Sequence, residues 1–137
     1  MDILEKCKEV LLNNPQIIFA YVFGSYARGT SDENSDIDIA IYLNDKEMSA
    51  KDYLDLKIRL ESICKRKVDL IILNESPPLL KYEVYLDGIL LFTRDEIAES
   101  NFKVHTLFEY EDMKRYLDMS YNAMIRNLRK EVKEYGK

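Results

Sequence analysis

Three carboxylates and a glycine turn carry the chemistry legible in this chain. Asp36 and Asp38 flank Ile37 at the head of an apolar run that ends at Leu43. In a strand, residues two apart share a face, so these carboxylates project side by side with their α-carbons about 7 Å apart. Two such groups repel unless a cation lies between them. A hard divalent ion with oxygen ligands is the natural partner, and Mg²⁺ commonly joins one or two carboxylates to a substrate phosphate. Asp69 is the one acid in a further apolar run, Lys67 to Leu73. If that strand lies beside the first, three carboxylates converge, enough to hold two metals about 3.5–4 Å apart for in-line displacement at phosphorus. The blander reading, a solvated strand end, sits poorly with acids that alternate with isoleucines.

Upstream, Ile17 to Phe23 has the length and composition of a buried strand and ends at Gly24. Glycine lets the backbone approach a ligand and take dihedrals closed to other residues. Ser25 offers a hydroxyl and an N–H at what reads as the start of a short helix over residues 25–28, where orphan N–H groups favour an anion. A plain N-cap is the structural alternative for Ser25, and the two roles are compatible. Gly29 suits the left-handed position that closes the helix. Arg28 has two readings. It reaches phosphate, or it braces the turn by pairing with a carboxylate; arginine serves both. Tyr26 either stacks a base or packs.

Gly24-Ser25, ten residues, then Asp36-Ile37-Asp38 resembles the signature of the DNA polymerase beta-like nucleotidyltransferases. The fuller string Gly24-Ser25-Tyr26-Ala27-Arg28-Gly29, with Asp69 in a distal apolar strand, resembles their small branch, the minimal nucleotidyltransferases (MNT domains) that include MntA-type antitoxins. The resemblance runs from about residue 15 to residue 93. It implies a small mixed sheet with flanking helices and transfer of a nucleotide from ATP with two Mg²⁺ ions, or Mn²⁺. Asp36, Asp38 and Asp69 are then the catalytic and metal-binding residues, Asp69 also standing as a base, while Gly24, Ser25 and Arg28 bind the nucleotide. The acceptor it implies is a tyrosine of a HEPN-type (HepT-like) ribonuclease toxin, neutralised by AMP. Two rivals stand beside this reading: a small-molecule transferase of the aminoglycoside type, and a non-catalytic antitoxin that acts by contact.

The elements that position these residues follow from periodicity. Ile3, Leu4, Cys7, Val10 and Leu11 recur at helical spacing over residues 2–13, and Asn13-Asn14-Pro15 ends that helix. Ser49 with Asp52 opens a second amphipathic helix carrying Tyr53, Leu56, Leu60 and Ile63. Ser76-Pro77 reads as N-cap and first-turn proline of a helix through Tyr85. Asp87-Gly88 makes a turn, and Ile89 to Phe92 a fourth strand. Alternating helices and strands predict an α/β (α+β) sheet with helices packed on it. The sheet pattern gives way at Thr93-Arg94-Asp95 to a helical extension over 94–137, after a catalytic core of about 1–93.

At 137 residues the chain reads as one domain able to hide roughly two-thirds of its unfolded surface. There is no apolar run of transmembrane length and no basic head with an apolar core at the N-terminus, so a cytoplasmic protein without membrane contact is expected. Cys7 and Cys64 then read as buried small hydrophobes rather than a disulfide. His105, the one histidine, has no metal-ligand spacing around it. A net charge of −5 argues against a nucleic-acid partner held by a broad basic surface. Lys65-Arg66-Lys67 reads first as a solvated helix end that complements the dipole, and second as a neighbour of the triphosphate. In the extension, Leu107, Tyr110, Lys114, Leu117, Tyr121, Met124 and Leu128 step by three and four, an a/d seam with one lysine in it. That seam either packs on the chain's own sheet or receives a partner helix.

Overall fold

A computed structural model describes residues 2–32 and 34–135, the side chains of 134 and 135 excepted; the ends of the extension at 136 and 137 lie outside the described residues. The elements run α1 (Ile3–Leu12), β1 (Ile17–Phe23), α2 (Gly24–Arg28), β2 (Ile37–Leu43), α3 (Ala50–Cys64), β3 (Val68–Ile72), a 3-10 turn (Leu73–Glu75), α4 (Pro78–Asp87), β4 (Ile89–Thr93) and α5 (Glu96–Tyr135). The strands form one mixed sheet in the order β3-β2-β1-β4. β1 is antiparallel to both β2 and β4, while β2 and β3 are parallel. The mixed α/β fold expected from the sequence is the one observed.

β1 is apolar throughout because both its faces are covered. Ile17, Ala20 and Val22 join Ile37, Ile39 and Ile41 under α1 and α3. Phe19, Tyr21 and Phe23 face the other way, with Ala40, Val84 of α4 and Phe102 of α5. The switch in alternation falls at a register shift between Ile17 and Phe19. Phe19 stacks on Tyr42 at 4.7 Å and meets Tyr21 edge-on at 5.8 Å. The face that carries these aromatic rings also carries Asp38, because residues 38, 40 and 42 of β2 alternate with the buried isoleucines.

The caps show which signals held. Asp2 accepts from the Glu5 N–H and Ser49 from the Asp52 N–H, as N-caps should. Ser76 does not cap α4. Its hydroxyl donates to the Ile72 carbonyl at 2.8 Å, and the cap position falls on Pro77, with Pro78 opening the helix. The cause is the second proline: a residue before proline is pushed to extended backbone, so Pro77 cannot itself be helical. α4 then continues two residues past Tyr85, and Asp87 is its last residue rather than part of a turn. A Cβ on Gly88 would stand 2.3 Å from the Val84 carbonyl and 2.9 Å from the Tyr21 ring. Only glycine lets the chain turn back so close to β1.

Cys7 and Cys64 are buried free thiols, their sulfurs 3.2 Å apart between α1 and α3. Arg94, at the junction of sheet and extension, donates to the carbonyls of Leu12, Asn14 and Ile17 at 2.5, 3.0 and 2.6 Å. It thereby serves the Leu12 carbonyl that the end of α1 leaves without a helical partner, and ties it to the turn and to the first residue of β1. Arg94→Ala is expected to destabilise the fold by about 2 kcal/mol, with Arg94→Lys recovering only part, since one ammonium cannot span three acceptors. Urea titration of the two variants checks this, and a loss equal for both would contradict it.

α5 is about 60 Å long at helical rise. Ala98, Phe102 and Thr106 lie against the sheet, Tyr21 donates a buried hydrogen bond to Glu99, and Tyr110 stacks on Tyr82 with centroids 3.6 Å apart. Beyond that the helix outruns the four strands. Leu117, Tyr121, Met124 and Leu128 are about half exposed or more. Of the two readings of the seam, packing on the chain's own sheet domain therefore applies at Tyr110, which rests on α4, but not at 117–128. No described helix is long and apolar enough to cross a membrane.

Candidate active site

The sheet brings two of the three predicted carboxylates side by side. In the parallel pairing of β2 with β3, Asp38 lies directly opposite Asp69. On its other side Asp38 is opposite Phe23, the last residue of β1. Asp36 stands just ahead of β2 and is exposed, as is Asp69 on the edge strand, whereas Asp38 is half-buried. The next residue after Phe23 is Gly24, with φ +70°. A Cβ there would come within 2.1 Å of Asp38 Oδ2. Glycine is required twice over, for the left-handed backbone and for the contact with the carboxylate.

α2 begins at Gly24, and no side chain caps it, because the cap position falls on Phe23. Ser25 is thus inside the first turn rather than at the cap, and the N–H groups of that turn are left to a ligand or water. Gly29 closes the helix at φ 76° as expected. The Thr30 N–H and hydroxyl both return to the Ser25 carbonyl, at 3.0 and 3.3 Å. Arg28 pairs with Asp87 of α4 at 2.8 Å, so the bracing role is the one seen. Arg66 donates to the Asp32 carbonyl and lies 5.8 Å from the centre of the Tyr26 ring. It holds the loop that leads to Asp36, and Tyr26 packs. His105 is exposed, at the far end of this face from the carboxylates.

Electrostatics mark Asp38 as the focus. Its carboxyl is pushed up to about 6. Burial is the largest cause, followed by the charges of Asp69, Glu83 and Asp36, while Arg28 opposes the shift. A carboxyl whose folded pKa exceeds its unfolded one favours folding fully below about pH 4, and that contribution is lost as pH rises through 6. The protein without metal should therefore lose stability relative to Asp38→Asn between pH 4 and pH 7. At pH 7 the variant is expected to be the more stable by on the order of 1 kcal/mol, after allowance for the water-facing side of the group. Thermal midpoints that run parallel for the two proteins across that window would contradict it.

Glu83 and Asp87 were not foreseen as neighbours of this site. Their signal was the four-residue spacing that places both on one flank of α4, in a helix whose apolar positions drew the attention. Among the described residues, no three acidic, histidine or cysteine side chains are grouped so that they could hold a metal ion by themselves. Mg²⁺ does not ask for that: it usually keeps waters and binds through one or two carboxylates plus substrate phosphates. Three repelling carboxylates, one with a strongly raised pKa, beside a turn with uncapped N–H groups fit such an ion together with a triphosphate.

A 420 Å³ cavity lies elsewhere on this face, between Tyr42, Asn74, Lys81, Phe102, His105 and Glu109. It is not where the carboxylates are.

Comparison with known proteins agrees with the geometry. Residues 5–97 match the family described as Polymerase beta, Nucleotidyltransferase. The protein adenylyltransferase MntA of Shewanella oneidensis is 33% identical over 101 residues, 74% of this chain and 71% of that protein. A chain in a crystal structure of a toxin–antitoxin with AMP-PNP superposes with a TM-score of 0.71 at 27% identity, over 93% of this chain and 98% of the other. A chain from the MntA–HepT toxin–antitoxin structure does so with a TM-score of 0.66 at 25% identity, over 92% and 96%. With the family matched over most of its length and MntA related over most of both chains, this protein belongs to the polymerase beta nucleotidyltransferases, enzymes that here fall on the MntA-like branch of protein adenylyltransferases.

Proposed function

We propose that this chain is the antitoxin of a toxin–antitoxin pair and transfers AMP from ATP to a tyrosine of a HEPN-type ribonuclease toxin. The observation that carries the chemistry is the register of β2 and β3, which sets Asp38 beside Asp69 with Gly24 packed on the Asp38 carboxylate. The relatives that bear the names MntA and toxin–antitoxin support the biological half of the reading.

In the reaction the tyrosine oxygen attacks the α-phosphorus, the new O–P bond forms as the bond to pyrophosphate breaks, and the hydroxyl proton leaves. Asp36 and Asp38 would hold Mg²⁺, or Mn²⁺, and Asp69 would join them for a second ion. Such ions neutralise developing charge on the phosphates and lower the pKa of the attacking hydroxyl. Asp69, exposed on the edge strand, would take the proton in this reading. The uncapped N–H groups around Gly24 and Ser25, with the Ser25 hydroxyl, hold the β- and γ-phosphates. Arg28 adds positive charge there while its bond to Asp87 keeps α2 against α4. The exposed seam of α5 offers the toxin a docking face, in the helix-in-groove manner. An AMP adduct brings charge and bulk into the toxin's RNA-binding cleft. A cytoplasmic location, where ATP is at hand, fits this reading.

The test is to incubate the protein with ATP, Mg²⁺ and the toxin encoded beside it, then weigh both chains intact. A gain of one or more AMP units on a toxin tyrosine is expected, and none in chelator. A toxin that stays unmodified yet is inhibited would replace this reading with one of contact alone.

A further inference from the structure

We infer that Glu83 accepts a hydrogen bond from a substrate hydroxyl at this site, a role that rests on the nucleotidyl-transfer reading. Four contacts fix how α4 is rotated. Val84 is fully buried against the sheet. Lys81 pairs with Glu109 of α5 at 3.0 Å, and Tyr82 stacks on Tyr110 of α5. Asp87 pairs with Arg28 of α2 at 2.8 Å. In helical spacing Glu83 lies one turn before Asp87 on the same side. It therefore belongs to the flank that faces α2 and the carboxylates of β2, away from α5.

Asp87 is engaged by Arg28, but Glu83 is exposed and has no ion-pair partner among the described residues. Its charge is felt at Asp38 more strongly than that of Asp36, two residues away in sequence. An unpaired carboxylate beside two others raises the energy of the empty site, and a triphosphate brought against it would raise it further. The phosphates thus belong at the other side, with Gly24, Ser25 and Arg28. An ionised carboxylate can only accept hydrogen bonds. The hydroxyl donors that the substrates bring are those of the ribose and of the acceptor; the adenine amine, the nucleotide's other neutral donor, is the competing partner that the test must separate. Either hydroxyl satisfies the chemistry. A glutamate that is merely solvated on a helix would affect neither.

Glu83→Gln and Glu83→Ala separate these cases. Both are expected to fold, since the side chain is exposed and its loss relieves repulsion; thermal midpoints no lower than wild type check this. Calorimetry compares Mg²⁺-bound ATP, 2′-deoxy-ATP and 3′-deoxy-ATP, and AMP transfer to the partner toxin gives KM and kcat for each substrate. If the ribose is the donor, wild type binds ATP on the order of tenfold tighter than one deoxy analogue, and the variants bind all three alike. If the acceptor is the donor, nucleotide binding is unchanged, while the KM for the toxin rises or kcat falls about tenfold at constant KM for ATP. Variants that match wild type in both nucleotide discrimination and transfer kinetics, or that bind all three nucleotides equally more weakly while wild type does not discriminate among them, overturn the inference alone. Wild type that shows neither Mg²⁺-dependent ATP binding nor transfer overturns the nucleotidyl-transfer reading, and this one with it.

Discussion

Asp38→Asn is expected to reduce AMP transfer by on the order of a thousandfold while the protein remains folded. Asp38 sits between Phe23 and Asp69 in the sheet, with Gly24 against its carboxylate. Among the described residues, Asp38 is the acid that both meets the Gly24 turn and pairs with the edge-strand carboxylate. Asparagine keeps the volume and the strand but removes the charge that a metal ion needs from this position. Relief of repulsion from Asp69, Glu83 and Asp36 means that the metal-free variant should be no less stable than wild type. Transfer assays alongside circular dichroism and thermal melts check both halves. Turnover at the wild-type rate would remove Asp38 from the ligand set. Asp36→Asn submits the second carboxylate to the same measurements.

The second large effect concerns the partner. Leu117→Glu combined with Tyr121→Glu is expected to weaken toxin binding by about a hundredfold or more. Each places a charge in an apolar contact, and central contacts of this kind are commonly worth about 2 kcal/mol or more. Both residues are more than half exposed and lie on the part of α5 that leaves the sheet behind. The isolated double variant should therefore melt at the wild-type temperature and bind Mg²⁺-bound ATP normally. Calorimetry with the toxin gives the answer, and unchanged affinity would move the docking face off this seam.

The candidate carboxylates were legible because a strand pattern tells which residues share a face, and an acid among isoleucines has few reasons to be there. Asp36 and Asp38 needed only the two-residue period, and Asp69 needed only that its strand be a neighbour. The parallel register that sets Asp38 opposite Asp69 was beyond such reasoning, because pairing is decided by the whole sheet and not by either strand. Ser76 misled because its cap signal is local, whereas the competing constraint came from Pro78, two residues on. Arg28 stayed ambiguous in the sequence because its partner, Asp87, is distant along the chain and joins it only when α4 docks on α2. Glu83 went unseen for the same reason. The seam of α5 was visible, but its exposure depends on how far the sheet reaches beneath it.

The contact between Gly24 and Asp38 has a consequence for related chains. One methyl group at position 24 would occupy the space of a carboxylate oxygen and ask for a backbone angle that an L residue resists. The phosphate turn and the acid pair therefore cannot drift apart in descent: either both persist, or the loss of one releases the other from constraint. A homologue that retains both acids but carries any side chain at position 24 is then a decayed copy in which they linger without purpose. If the seam of α5 is the docking face proposed above, such a protein would keep that face intact and could act only by occupancy.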